Sequence, residues 1–140
     1  MNLINYSIFY KAQSLPKEWD TLVEHDIFLQ SNYLHALEKA SPNNISLYYV
    51  GFYNDSKLVG VAIIQRVQLY LNDIFRNKDD TCFRERFKKA ISKILKGNVL
   101  VVGNLTHTGQ HGLFLDTNKE TFDNFLPVLF TALDPVSYTH

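Results

Sequence analysis

Ile45-Ser46-Leu47-Tyr48-Tyr49-Val50-Gly51-Phe52-Tyr53, then Asn54-Asp55-Ser56-Lys57, then Leu58-Val59-Gly60-Val61-Ala62-Ile63-Ile64 and on to Leu71, is the stretch that decides the fold. Both flanking runs consist largely of β-branched and aromatic residues, and the four residues between them carry turn chemistry, which predicts a β-hairpin. Tyr48 to Phe52 and Leu58 to Ile64 are almost continuously apolar and do not alternate. Strands of that kind are covered on both faces, so helices are expected against a central sheet. Gly51 and Gly60 are positions for a bulge or a close approach.

Upstream, residues 3 to 10 read as a first strand. A helix follows, with Ser14 as its cap, Pro16 in its first turn, and Trp19, Leu22 and Val23 on one face. Trp19 reads as core. A second helix opens at Ser31, repeats Tyr33, Leu34 and Leu37 at helical spacing, and stops at Ser41-Pro42-Asn43-Asn44. Downstream, Arg76 to Gly97 holds eight of the fourteen basic residues against Asp79, Asp80 and Glu85. Phe83, Phe87, Ala90, Ile91, Ile94 and Leu95 make a helical stripe there, with Gly97 as its C-terminal cap. Val99-Leu100-Val101-Val102 reads as a buried strand, Leu113 to Leu115 as a short one, and residues 118 to 133 as a last helix capped by Thr117. That helix sets Phe122, Phe125, Leu126, Leu129 and Phe130 on one face, an apolar surface expected to be incompletely covered, despite a breaker at Pro127. Asp134-Pro135 is expected to end it, giving one domain over 1–133 and an unstructured, unpacked tail over 134–140. The predicted class is α/β, a mixed, largely antiparallel central sheet flanked by helices in the order β-α-α-β-β-α-β-β-α.

Composition bounds the function. A chain of 140 residues with 46% hydrophobic and 20% charged side chains has the size of one globular domain. Fourteen Lys plus Arg balance fourteen Asp plus Glu, so no general attraction to nucleic acid or anionic lipid is expected. No apolar run nears the roughly 20 residues that span a bilayer, and the N-terminus lacks signal-peptide features. The lone Cys82 forms no intramolecular disulfide, which favours a reducing, cytoplasmic setting. No acid–base or nucleophile pattern marks Cys82, so it reads as an incidental thiol.

The chemical oddity is the loop Gly103-Asn104-Leu105-Thr106-His107-Thr108-Gly109-Gln110-His111-Gly112. Three glycines free its backbone to approach a ligand, while Asn104, Thr106, Thr108 and Gln110 supply polar side chains. The ligand-contact reading therefore takes Gly103, Asn104, Thr106, Thr108, Gly109, Gln110 and Gly112, with His107 or His111 as a general base near neutral pH. The competing reading is a solvated connection whose glycines serve turns, and it is the favoured one for catalysis. His107 and His111 are no metal pair, since Gly109 opposes a helix and no Cys or carboxylate completes a tetrahedral set nearby. His25 and His35 read as surface residues. The basic segment can offer Arg84, Arg86, Lys88, Lys89 and Lys93 to phosphates, but no aromatic platform interleaves with them, so a solvated face is expected rather than a nucleic-acid site.

Phe28-Leu29-Gln30-Ser31-Asn32-Tyr33-Leu34-His35-Ala36-Leu37-Glu38 and the hairpin Val50 to Ala62, in this order of elements, resemble the first half of the GNAT-type acyl-CoA N-acyltransferases, nearest to the Fem-type transferases of peptidoglycan-bridge synthesis. The resemblance covers about residues 3 to 133. It implies transfer of an acyl or aminoacyl group from a thioester or carrier donor to a primary amine, with acyl-CoA as co-substrate and no metal. It also implies an N-terminal portion, with a second α/β half or self-association to complete it. The family's Gln/Arg-x-x-Gly-x-Gly/Ala phosphate loop is absent, so little or no acyltransferase activity is expected of this chain alone. The alternative is a non-catalytic substrate-binding or packing half of a two-part transferase.

Overall fold

A computed structural model describes residues 3–68, 98–106 and 111–137. The predicted basic helix with Cys82, the end of the second hairpin run, and His107, Thr108, Gly109 and Gln110 lie outside the described residues, as do the last three of the chain.

The hairpin forms as the sequence predicts. Strand β2 (Ile45–Asn54) and strand β3 (Lys57–Gln68) pair antiparallel through Asn54 and Lys57. Asp55 and Ser56 between them both hold positive φ, 47° and 69°, the two-residue turn whose twist matches that of the strands it joins. The register slips between Phe52 and Tyr53, which face Gly60 and Leu58. Val59 is thus a bulge residue. Strand β1 (Asn5–Phe9) flanks β2, and strands β4 (Asn98–Val102) and β5 (Leu113–Leu115) both flank β3. Every described pairing is antiparallel, so the sheet carries no parallel pair among the described residues.

Both faces of the hairpin are covered, for the reason its unalternating sequence implies. On one face Leu47, Tyr49, Val61 and Ile63 pack against Trp19 of helix α1 (Lys17–Leu22), Leu34 of helix α2 (Ser31–Ala40) and Leu29 of the 3-10 turn between them. On the other, Tyr48, Val50, Phe52, Ala62 and Ile64 pack against helix α3 (Phe122–Ser137) through Phe125, Leu129, Ala132 and Val136. Trp19 has no exposed surface, meets Phe9 and Tyr49 edge-on, and donates Nε1–H to the Leu29 carbonyl at 2.8 Å. Its core role is as expected.

The helix ends differ from the sequence reading in instructive ways. Ser14 does not cap α1: its hydroxyl donates back to the Lys11 carbonyl inside a 3-10 turn, Ala12–Ser14, and Pro16 takes the cap position. Helix α2 is capped from outside its own segment. The Asp20 carboxylate of α1 accepts the Ser31 N–H at 2.7 Å and the Ser31 hydroxyl as well, so the two helices are tied at that corner. Helix α3 starts at Phe122 rather than after Thr117, because Asp116 makes a turn of its own: its carbonyl accepts from Lys119 and Glu120 and its carboxylate from Asn118.

The expected stop at Asp134-Pro135 does not occur. The helix runs to Ser137, so 134–137 is no unstructured tail. Pro135 stands within three residues of the helix end, where its missing N–H costs a single bond, and Val136, fully buried with Ala132 on the sheet, holds the final turn down. The other half of that expectation holds in part: of the five residues expected on one incompletely covered face, Phe125 and Leu129 are buried, whereas Phe122 is 47% exposed, Leu126 40% and Phe130 64%, an apolar stripe at i, i+4 and i+8.

Candidate functional site

Strands β4 and β5 lie end to end along β3. Residues 98–102 pair with Gln68 to Ile64, and residues 113–115 continue with Ala62 to Gly60. Ile63 between them serves both: its carbonyl accepts the Gly103 N–H and its N–H donates to the Gly112 carbonyl, each at 2.8 Å. The Gly-rich loop is therefore an excursion from one interrupted edge strand. Its two ends touch. A Cβ on Gly112 would lie 2.1 Å from the Gly103 Cα, and Gly103 itself holds φ +136°, so neither position accepts a side chain.

One limb of the loop is fastened from beneath. Gln65, only 2% exposed, accepts the Leu105 N–H at 2.9 Å and donates Nε2–H to Asn104 Oδ1 at 3.2 Å. That oxygen also accepts the Thr106 N–H and hydroxyl, at 2.9 and 2.6 Å. Three donors on one oxygen fix the orientation of the amide. Asn104 Nδ2 is consequently turned into the interior as a buried donor with no partner among the described residues. Gln65 and Asn104 thus form a small polar core under a strand break, which is uncommon in an otherwise apolar sheet.

The other limb delivers His111. Its Nδ1 lies 2.8 Å from Asp26 Oδ2, and the second Asp26 oxygen accepts the Phe28 N–H at 3.0 Å at the start of the 3-10 turn Ile27–Leu29. The His111 ring packs edge-on against Phe28, with centroids 4.8 Å apart. In the tautomer that carries its proton on Nδ1, the ring donates to this carboxylate, which fixes the ring's orientation. His111 stays about one third exposed, so the pair sits at the surface of the site.

On the same side of the sheet a cleft of about 760 Å³ opens beside β5. Leu22, Leu58 and Phe114 give it apolar lining, and Lys17, Lys57 and Tyr53 give it polar lining. Tyr53 is held above its ordinary value by burial and then by the Glu18 carboxylate, so it stays a hydroxyl donor at neutral pH. Asp116 at the margin is held below its ordinary value, chiefly by its hydrogen bond to Lys119, 3.0 Å away. Phe114 joins cleft and loop: the His25 ring lies tilted against it with centroids 4.5 Å apart, and His111 stands three residues before it in the chain.

Of the residues singled out from the sequence, Gly103 and Gly112 close the base of the loop, Asn104 and Thr106 form its internal bonds, and His111 reaches a carboxylate. His25 covers Phe114, and His35 Nδ1 lies 3.8 Å from Glu38. Asp26 and Gln65 were not legible as site residues. Asp26 is 85 positions from His111, and Gln65 interrupts an apolar strand without any motif around it. Among the described residues no group of His, Cys, Asp or Glu could hold a metal ion. No described helix is long and apolar enough to cross a membrane. No family model, curated protein or solved structure matches the chain.

Proposed function

We propose that this chain is an N-acyltransferase-like domain in which His111, oriented by Asp26, takes the proton of a primary amine as it attacks an acyl donor. The observation that carries the reading is the 2.8 Å contact between His111 Nδ1 and Asp26 at the mouth of the strand break. A carboxylate in that place stabilises the imidazolium formed when the ring takes a proton. The amine nitrogen forms the C–N bond to the acyl carbon, the C–S bond of a thioester breaks, and the thiolate leaves to be protonated by water. Asn104 Nδ2 supplies a buried donor in the same loop, and the cleft lined by Phe114 and Lys57 suits a donor with an apolar arm and an anionic end. The resemblance of residues 28–38 and of the hairpin to Fem-type transferases supports acyl or aminoacyl transfer over other base-assisted chemistry.

The test is thiol release from acetyl-CoA over a panel of primary amines. Slow amine-dependent release by the wild type, lowered about 100-fold in His111→Gln and about 10-fold in Asp26→Asn, is the expected result. Release no faster than the uncatalysed reaction, with a folded wild type, overturns the catalytic assignment. The second reading, a packing half of a larger transferase, is favoured by the exposed stripe Phe122, Leu126 and Phe130.

A further inference from the structure

Arg66 is a buried charge to which the proposed reaction assigns no role. It lies on β3 between Ser46 of β2 and Leu100 of β4, and by strand alternation it shares the α3 face with Tyr48 and Ile64. That is the face opposite Gln65, Asn104 and the loop. The residue is only 4% exposed, and its Nε and Nη1 are buried with no hydrogen-bond partner among the described residues. No described carboxylate forms an ion pair with it.

A guanidinium stays protonated in any protein and cannot shed its charge to suit an apolar setting. An uncompensated buried charge is among the most destabilising features a fold can hold, and the usual solutions are a counter-charge or a hydrogen-bonded oxygen. Ser46, half-buried directly across the ladder, adds a neutral hydroxyl but no charge. We propose that Arg66 is the anchor of a second site, on the α3 face of the sheet, that binds an oxyanion, a carboxylate or phosphate group, through Nε and Nη1. The site is independent of the His111 loop, because the sheet separates them.

Thermal unfolding of the full chain tests this, with sodium phosphate or sodium acetate replacing sodium chloride at constant ionic strength. The expected result is a saturable rise in Tm of about 5 °C for the wild type with one of the two anions, and no rise for Arg66→Met. Phosphate acting alone identifies a phosphate group as the ligand chemistry, and acetate acting alone a carboxylate. An equal rise in wild type and variant, or no rise with either anion, overturns the proposal. Should the variant fail to fold, the ¹⁵N-edited signal of Arg66 Nε–H in the wild type decides instead: a saturable shift with the same anion supports the site, and an unmoved signal refutes it.

Discussion

Glu38 shows how much of this fold hangs on single side chains. One of its carboxylate oxygens accepts both the Ala12 N–H at 2.7 Å and the Tyr49 hydroxyl at 2.9 Å, so it joins the 3-10 turn after β1, helix α2 and strand β2. Tyr49 has no exposed surface, and burial first, then Glu38, pushes its hydroxyl far above the ordinary value of 10.0. Glu38→Ala leaves the Ala12 N–H unmet and the Tyr49 hydroxyl with only the Leu34 carbonyl at 3.5 Å, and should cost about 2 kcal/mol in urea unfolding, whereas Tyr49→Phe should cost about 1 kcal/mol. The pH dependence has a definite sign. A group whose value is raised on folding contributes fully below its unfolded value and loses that contribution as pH rises past it, so stability falls above about pH 10. Tyr49→Phe should make that alkaline decline shallower. Gly112 is the other residue with no substitute: Gly112→Ala places a Cβ where the Gly103 backbone already lies, and should cost about 3 kcal/mol and separate His111 from Asp26. Retention of the His111–Asp26 contact in a structure of that variant would refute the account of the loop base.

At the scale of elements, helix α3 is held at its start by Glu120 and along its length by one narrow face. The Glu120 carboxylate accepts from Asn124 Nδ2, from the Thr121 N–H and from Asn54 Nδ2, which binds the helix start to the end of β2. These bonds, that of Asn124 above all, hold its carboxyl below the ordinary value of 4.5. A carboxyl lowered on folding contributes its full stability above the unfolded value and loses it as pH falls through the folded one. Glu120→Gln should therefore flatten the loss of stability below about pH 4.5, measured by urea midpoints across the acid range. Along the helix, Phe125 is fully buried against Phe52, with ring centroids 4.5 Å apart, while Phe130 is 64% exposed. Phe125→Ala should cost about 3–5 kcal/mol and Phe130→Ala within about 0.5 kcal/mol. Equal losses at the two positions would mean that the helix packs through a different face.

Across the whole molecule, β3 is the element everything else leans on. It pairs with β2 along its full length and with β4 and β5 on its other side, and ten of its twelve residues are buried. Opening it exposes both cores at once, so amides from Val61 to Gln65 should exchange at the rate of global unfolding, and those of β1 orders of magnitude faster. Exchange of β3 amides ahead of those in α2 would show that the sheet is not the last part to open. The same strand organises the loop: Ile63 pins its ends, Gln65 fastens it on the α1–α2 face, and Arg66 lies on the opposite face.

The hairpin, its turn and the helices on both faces were determined by the sequence alone, because each is a matter of spacing within a few residues. Alternation, helical period and turn chemistry are local quantities. Only the tertiary structure decided that Asp20 of α1 caps α2 and that α3 passes Pro135, since the cap and the burial of Val136 depend on groups brought from elsewhere in the chain. The site divides in the same way. The Gly103 to Gly112 loop and His111 could be singled out from composition, but the strand break that closes on Gly103 and Gly112, and the pairing of His111 with Asp26 across 85 positions, follow from how the sheet edge meets the α1–α2 corner. A carboxylate and an imidazole that far apart carry no mutual signal in sequence; their contact is a property of the packed layers.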